Sequence, residues 1–240
     1  MAIRVSLDGL FGVKPNPVAI LNAAIASGKI QENAESEEGL RPVAAESLSG
    51  KIVGLYFSAH WCPPCKGFTP HLAQKYKELV DAGHPIEIIF ISSDSSAAEA
   101  REYFSEMPWK MLDYECRDEK GRLGKAYSVA GIPTLVLLDE SLQLITANGR
   151  DAIMTCEFDK LKSYESDLIA AKAAISEMIE SSPETVTITQ HSHPLKKMPS
   201  VYRGQYGCDV CHGSGEGWVY HCESCGYDAH PKCACPSHFA

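Results

Sequence analysis

The sequence predicts an α/β fold, with a central mixed sheet flanked by helices, followed by a small Cys/His-rich domain at the C-terminal end. From residue 50 onwards, short apolar runs of strand length alternate with segments whose apolar residues have helical spacing. The last 33 residues contain six of the ten cysteines, so this tail has a composition of its own. We therefore expect an N-terminal extension or linker (1–44), an α/β domain (45–183) and a zinc-binding domain (184–240).

The individual elements follow from the same patterns. The runs KIVGLYFS and IEIIFIS are almost entirely apolar, which indicates strands that are buried on both faces of a sheet. Gly83 and Pro183 are residues that typically end helices, and each follows a segment of helical spacing. The predicted strands are 51–58, 86–92, 110–114, 134–139, 144–147 and 184–190, and the predicted helices are 17–27, 70–82, 95–105, 120–128 and 161–181.

Composition excludes several classes of protein. A hydrophobic content of 45% in 240 residues is typical of a globular chain and not of a disordered one. The net charge of −9 argues against nucleic-acid binding, which needs a basic surface. The N-terminal segment does not resemble a signal peptide, and apolar runs such as 132–138 are too short to cross a bilayer. We expect a cytoplasmic and/or nuclear protein that binds neither nucleic acid nor membranes.

The segment Trp61-Cys62-Pro63-Pro64-Cys65 lies between the first buried strand and a helix. A cysteine at a helix N-terminus is surrounded by free backbone N–H groups at the positive end of the helix dipole. In such places the thiol pKa falls from about 8.5 to roughly 3.5–7.5. We expect Cys62 to be the nucleophile and Cys65, one turn later, to resolve the mixed disulfide. A zinc site is the alternative, but residues 50–180 contain no second CxxC and no suitably spaced histidine pair.

Three blocks resemble the tryparedoxin and nucleoredoxin branch of the thioredoxin superfamily: LYFSAHWCPPCKGFTPHLAQKY (55–76), IIFISSD (88–94) and GIPTLVLLD (131–139). The resemblance implies a thioredoxin-like fold and the reduction of disulfides in client proteins. It also implies that electrons come from an NAD(P)H-dependent donor of the thioredoxin-reductase type or from a small dithiol, with no tightly bound organic cofactor.

The resemblance also implies the composition of the substrate site. In thioredoxin-like folds a cis-proline faces the redox pair, and the residue before it offers backbone groups to the client peptide. The residues expected to line this site are Trp61, Pro63, Pro64, Ile132 and Pro133.

One departure from ordinary thioredoxin concerns proton transfer. Six residues before the nucleophile, where thioredoxin carries a buried carboxylate, this chain has Tyr56, so the sequence names no buried general base. A redox-sensitive binding or regulatory protein, whose dithiol switches partner interactions, remains an alternative function. Catalytic turnover would separate the two.

The tail has the spacing of a zinc module. A CxxC pair supplies two sulfurs from one tight turn, and a closed shell of cysteine and histidine ligands indicates structural zinc. So short a segment has little apolar surface, so that the metal has to supply folding energy. The tail reads Cys208-x2-Cys211-x10-Cys222-x2-Cys225-x4-His230-x2-Cys233, enough for more than one ion.

The blocks HPL (193–195), YGCDVCHG (206–213) and WVYHCESCGYDAHPKCA (218–234) resemble the plant cysteine/histidine-rich domain, a relative of the diacylglycerol-binding zinc fingers. The resemblance implies two zinc ions with interleaved ligands. His212 and His221 are expected to be exposed bystanders, and a protein-interaction role is favoured over lipid binding. The first ion is expected on Cys208, Cys211, His230 and Cys233, and the second on His193, Cys222, Cys225 and a terminal residue, with His238 preferred to Cys235 and with His191 a weaker alternative to His193.

Overall fold

The computed structural model of the chain describes residues 16–33, 40–199, 201 and 205–238. The chain divides into two units, one up to Leu168 and one from Ile169 onwards. This division lies within the helix Tyr164–Ser181, whereas the sequence predicts a boundary after Pro183. The boundary at residue 183 stays a prediction.

A mixed sheet forms the centre of the first unit. Its strands are β1 (Ile30–Asn33), β2 (Leu40–Pro42), β3 (Ile52–Ser58), β4 (Ile86–Ser92), β5 (Lys110–Leu112), β6 (Thr134–Leu138) and β7 (Leu144–Thr146). The strand order is β2-β1-β5-β4-β3-β6-β7. The central pairs β3–β4 and β4–β5 are parallel, and the remaining pairs are antiparallel. The predicted α/β fold with a mixed sheet is confirmed.

Five α-helices belong to the same unit as the sheet: α1 (Pro17–Ala26), α2 (Pro63–Asp81), α3 (Ala97–Phe104), α4 (Arg117–Ala126) and α5 (Gly149–Thr155). A sixth, α6 (Tyr164–Ser181), contains the division between the two units. Asn16 caps α1, since its side-chain oxygen accepts hydrogen bonds from the first turn, and Ser96 caps α3 in the same way. Short 3-10 turns cover Ala45–Leu48 and Phe158–Ser163. The sequence predicted five of these helices but not the short α5. None of the described helices is long and apolar enough to cross a bilayer.

Hydrophobic residues cover both faces of the sheet. Every residue of β3 and β4 is buried, as the continuous apolar runs predicted. Because side chains alternate along a strand, Tyr56 packs on one face with Leu72 of α2. Leu55 packs on the other face with Leu21 of α1 and Leu123 of α4. The end of β3 is thereby held rigidly at the start of α2, where the CxxC motif lies.

The described part of the N-terminal segment is integrated with this sheet. Ile20 and Leu21 of α1 are buried, and Ile30 of β1 pairs with Leu112 of β5. Residues 16–33 and 40–44, which the sequence placed in an extension or linker, therefore contribute a helix, the edge strand β2 and the strand β1 beside it. Residues 1–15 and 34–39 lie outside the described residues.

The second unit has a smaller antiparallel framework. Its elements are β8 (Thr185–Val186), β9 (Leu195–Met198), β10 (Gln205–Gly207), β11 (Ser214–Glu216), β12 (Val219–Cys222), β13 (Tyr227–Ala229), α7 (Pro231–Ala234) and a 3-10 turn at Pro236–His238. Strands β13-β12-β9-β8 form one sheet, and β10 and β11 form a hairpin. The small core includes Leu195, Tyr220 and Ala229. Of the predicted strand 184–190, only residues 185–186 are a strand.

Candidate functional site

Cys62 and Cys65 lie at the N-terminal end of α2. Cys62 is the N-cap residue, and Pro63 and Pro64 occupy the first helical turn, where their missing N–H groups cost nothing. Cys62 is 4% exposed and Cys65 is fully buried, and both are free thiols. The helix therefore begins directly beneath the Cys62 sulfur, as expected from the motif, and seven residues before the start of the predicted helix 70–82.

Residues far apart in the chain surround Cys62. The Ile132–Pro133 peptide bond is cis, and the Ile132 carbonyl oxygen lies 3.7 Å from Cys62 Sγ. Trp61 is 62% exposed, and its indole N–H donates to the Ser93 carbonyl oxygen at 3.1 Å. The structure thus gathers Trp61, Ile132 and Pro133 around the sulfur, with Pro63 and Pro64 exposed at the start of the helix. Their roles in substrate binding stay predictions.

The two thiols have different surroundings. Burial, together with a hydrogen bond to Cys62, raises the pKa of Cys65 to about 11. Hydrogen bonds from the Ser58 hydroxyl group and the Ala59 backbone act in the opposite direction. At neutral pH Cys65 is therefore a thiol, and ionising it depends on the groups that donate to its sulfur.

A network of hydroxyl groups lies beneath the dithiol. Ser58 donates to the Tyr56 phenol oxygen at 3.1 Å, and the Tyr56 and Thr69 hydroxyl groups are 2.8 Å apart. Thr69 also donates to the Cys65 carbonyl oxygen at 3.0 Å, and Tyr103 joins through both Ser58 and Thr69. Burial raises the pKa of Tyr56, so its phenol stays protonated. This network fills the position where ordinary thioredoxin carries its buried carboxylate.

Two charged residues near the dithiol were not predicted. The buried Asp94 carboxylate accepts a hydrogen bond of 2.7 Å from the backbone N–H of His60, which fixes the loop leading to Cys62. Arg150 donates to the Pro133 carbonyl oxygen at 3.2 Å. Asp94 could have been found from the sequence, because it comes shortly after a predicted buried strand. No local sequence pattern marks Arg150.

A groove of about 630 Å³ runs beside Ile132. Ser93, Lys120 and Lys125 contribute to its lining. Burial, and secondarily the nearby Arg117, lower the pKa of Lys120 to about 8. The groove therefore offers both apolar and basic surface next to Ile132.

In the second unit, Cys208, Cys211, His230 and Cys233 converge, with their ligand atoms all within 4.8 Å of one another. The turn between β10 and β11 supplies the first two, and the start of α7 supplies the others. His230 Nδ1 lies 3.3 Å from Cys211 Sγ, while its Nε2 lies 3.1 Å from the Ser214 carbonyl oxygen. A ring that donates from Nε2 to a carbonyl presents Nδ1 to a metal.

A second group consists of His191, His193, Cys222 and Cys225, again within 4.8 Å of one another. The turn between β12 and β13 carries the two cysteines, and His193 Nδ1 lies 3.1 Å from Cys225 Sγ. Cys235 belongs to neither group and packs against the small core. The side chain of His238 lies outside the described part of the chain. The sequence offered His191 only as an alternative to His193, whereas the structure places both histidines in this group.

The residues of both groups fit zinc. Three cysteines with one histidine form a common ligand set of tetrahedral structural zinc, and so do two cysteines with two histidines. Burial and the neighbouring Cys211 and Cys208 raise the pKa of Cys233 to about 11. By contrast, the Ser224 hydroxyl group, followed by His191, lowers the pKa of Cys222 to about 6. Ionised sulfurs this close repel one another, and a bound divalent cation would offset this electrostatic repulsion.

The remaining histidines of the tail differ from each other. His212 is exposed, as expected. The expectation of exposure is wrong for His221, which is buried and whose Nδ1 lies 2.7 Å from the Asp228 carboxylate. The cause is the cross-strand pairing of these two residues between β12 and β13.

Comparison with known proteins identifies two families. Residues 50–144 match the thioredoxin-like family and residues 189–234 match the C1 domain family. Probable nucleoredoxin 1 of Arabidopsis thaliana is 37% identical over 192 residues, which cover 80% of this chain and 33% of the relative. Human nucleoredoxin is 39% identical over 158 residues, which cover 65% of this chain and 34% of the human protein. The chain thus spans between 30% and about half of the length of these curated relatives.

Solved structures point the same way. Tryparedoxin II from C. fasciculata is 33% identical, with a TM-score of 0.50, and the match covers 57% of this chain and 89% of that protein. Tryparedoxin II complexed with glutathionylspermidine has the same identity and TM-score, and the match covers 56% of this chain and 91% of that protein. The resemblance to nucleoredoxins and tryparedoxins inferred from the sequence motifs is confirmed.

Proposed function

This chain belongs to the thioredoxin-like family and carries a C1-type domain after it, and on that premise we propose that it reduces disulfide bonds of other proteins through Cys62 and Cys65. The observation that carries the proposal is the placement of Cys62 at the N-cap of α2, beside the Ile132 carbonyl oxygen. Nucleoredoxin and tryparedoxin relatives support a thiol–disulfide oxidoreductase.

The chemistry needs two exchanges. The Cys62 thiolate attacks one sulfur of the client disulfide, forms a mixed disulfide and releases the other client sulfur, which takes up a proton. Cys65 then loses its proton and attacks Cys62 Sγ, which releases the second client thiol and leaves a Cys62–Cys65 disulfide. Two electrons pass to the client. The raised pKa of Cys65 supports this division of roles, because Cys65 would keep its proton during the first exchange.

Ionisation of Cys65 is assisted by Ser58 in this scheme. Its hydroxyl group has one proton, which can turn from Tyr56 to the Cys65 sulfur and so favour the thiolate. The hydroxyl network around Ser58 keeps that group oriented through Tyr56 and Tyr103. Hydroxyl groups therefore occupy the place at which ordinary thioredoxin has a carboxylate for proton transfer.

Client binding is proposed for the surface around Cys62. The exposed Trp61 ring offers an apolar contact, and the backbone of Ile132 offers hydrogen-bonding groups to an extended peptide. Pro63 and Pro64 form the exposed edge, and Pro133 shapes the floor. The groove beside Ile132 leaves room for client residues that flank the cysteine.

The oxidised pair has to be reduced again by an external donor. We propose either an NAD(P)H-dependent reductase of the thioredoxin-reductase type or a small dithiol. The complex of the related tryparedoxin II with glutathionylspermidine supports the second route. All ten cysteines are free, which supports a reducing compartment, and we propose the cytoplasm and/or the nucleus.

For the tail we propose two structural zinc ions. Cys208, Cys211, His230 and Cys233 would hold one, and His193, Cys222 and Cys225 with a fourth ligand would hold the other. Bound zinc would supply the folding energy that the small core cannot. The domain so formed would contact partner proteins.

NADPH-coupled turnover of a peptide disulfide tests the redox proposal, with thioredoxin reductase, glutathione or a dithiol as donor. We expect many turnovers per chain, loss of activity in Cys62→Ser, and a trapped mixed disulfide in Cys65→Ser. Cys156→Ser, which removes a half-buried thiol elsewhere, is the matched control and should retain activity. If the wild type reduced only one disulfide per chain, the alternative function as a redox-sensitive regulatory protein would be favoured. Activity in Cys62→Ser would exclude Cys62 as the nucleophile.

A further inference from the structure

We propose that His191 is the fourth ligand of the second zinc ion, in place of the terminal residue that the sequence suggests. The inference rests on the proposed pair of zinc ions and names the residue that completes one of them. It makes the second site a two-cysteine, two-histidine centre.

The first argument is geometric. A tetrahedral zinc ion with bonds of roughly 2.0–2.3 Å places its ligand atoms about 3.3–3.8 Å apart. One ring nitrogen of His191 lies within 4.8 Å of the ligand atoms of His193, Cys222 and Cys225, so a small adjustment closes the shell. Both histidines come from the segment just before β9, two residues apart, so one piece of backbone delivers both to the β12–β13 turn.

The second argument is an unsatisfied polar atom. His191 Nε2 is buried and has no hydrogen-bond partner among the described residues. A buried nitrogen of this kind is unfavourable unless something outside the chain pairs with it. The ring is also held in place, because it stacks on Tyr227 with a centroid distance of 4.3 Å and an interplanar angle of 20°. A fixed ring that has one nitrogen near two cysteines and a histidine, and whose Nε2 forms no hydrogen bond, is suited to binding a cation.

Zinc content of the full chain tests the assignment. We expect two ions in the wild type, one in His191→Ala, and two in both His238→Ala and Cys235→Ser. Two ions held with unchanged affinity by His191→Ala would overturn the inference while leaving the two-zinc proposal intact. Fewer than two ions in the wild type would overturn both, and disulfide reduction by Cys62 would still be measured independently.

Cobalt substitution with His191→Cys covers the case in which the alanine variant does not fold. The proposed ligands include five thiolates in the wild type and six in His191→Cys. We expect the thiolate-to-cobalt charge-transfer absorbance to rise about 1.2-fold, in proportion to the thiolates bound. His238→Cys is the matched control and should leave the band unchanged. An unchanged band in His191→Cys, or the increase in His238→Cys instead, would contradict the assignment.

Discussion

The hydroxyl group of Ser58 donates a hydrogen bond of 3.1 Å to the phenol oxygen of Tyr56. Both groups are buried beneath Cys65, and when Cys65 ionises the single hydroxyl proton of Ser58 can turn from Tyr56 to the Cys65 sulfur. Tyr56 occupies the position where ordinary thioredoxin carries a carboxylate. A neutral hydroxyl network can therefore favour ionisation of Cys65 without burying a charge.

We expect Ser58→Ala to slow the resolving step. Loss of one hydrogen bond to a charged group, roughly 1.5 kcal/mol, corresponds to roughly a tenfold lower rate. The cause is a still higher pKa of Cys65, so the pH profile of this step should move to higher pH. Rapid quenching and mass spectrometry would show the mixed disulfide accumulating.

The exposed loop variant Ser95→Ala provides the control, since the Ser95 side chain is outside this network. It should resolve the mixed disulfide at the wild-type rate. Equal rates in Ser58→Ala and the wild type would show that Ser58 does not assist Cys65.

Glu87 is expected to be the most sensitive acidic position of the first unit. Its side chain is 3% exposed, lies 2.8 Å from Lys110 Nζ and accepts a hydrogen bond of 2.9 Å from Tyr76. Glu87→Ala removes one partner of the partly buried Lys110, which keeps Glu32 at 3.4 Å, and takes away the acceptor of the Tyr76 hydroxyl group. It should lower the free energy of unfolding by roughly 1–3 kcal/mol. Urea denaturation measures this value.

Glu157→Ala is the matched control for Glu87→Ala. Glu157 pairs with Lys160 at 3.1 Å, but its side chain is 78% exposed. Exposed pairs contribute about 0–1 kcal/mol. Similar losses in the two variants would mean that burial does not govern the contribution of Glu87.

Gly215 of β11 leaves the space that the His230 ring occupies. A Cβ atom there would lie 2.7 Å from His230 Nε2 and closer still to the Tyr206 ring. We expect Gly215→Ala to displace His230, to lower zinc affinity at the first group, and to lower the free energy of unfolding of the tail by about 1–3 kcal/mol. A competition titration with a zinc chelator would measure the affinity.

Gly207→Ala on the paired strand β10 is the control, because a Cβ atom there would contact nothing within 4 Å. It should bind zinc as the wild type does. If Gly215→Ala also bound zinc with wild-type affinity, His230 would not depend on the absence of a side chain at Gly215 to reach its position.

Zinc removal should affect the two units differently. Because the tail has a small core, a strong chelator should abolish protection from hydrogen exchange in β12 and β13 while β3 and β4 stay protected. Acidification should act in the same direction, since protons compete with zinc for cysteine and histidine, so affinity falls as the pH falls. Uniform loss of protection, or none, would contradict this prediction.

Much of the fold was readable from local patterns. The continuous apolar runs predicted β3 and β4, and helical spacing predicted α1 and α3. The seven-residue α5 was missed because so short a helix has little periodicity. The participation of β1 and β2 in the sheet was also missed, because strands of only three or four residues show little pattern and β1 depends on pairing with the distant β5.

The sequence by itself determined the features that depend on near neighbours: the start of α2 beneath Cys62 and the two CxxC turns of the tail. Only the tertiary structure decided which distant groups meet them. Ile132 lies 70 residues from Cys62 along the chain, and His193 lies 32 residues from Cys225. Residue spacing constrains backbone geometry over a turn or two, whereas contacts over such distances depend on how the strands pair and the side chains pack. For the same reason, only the folded tail brought His191 beside Cys222 and buried His221 against Asp228.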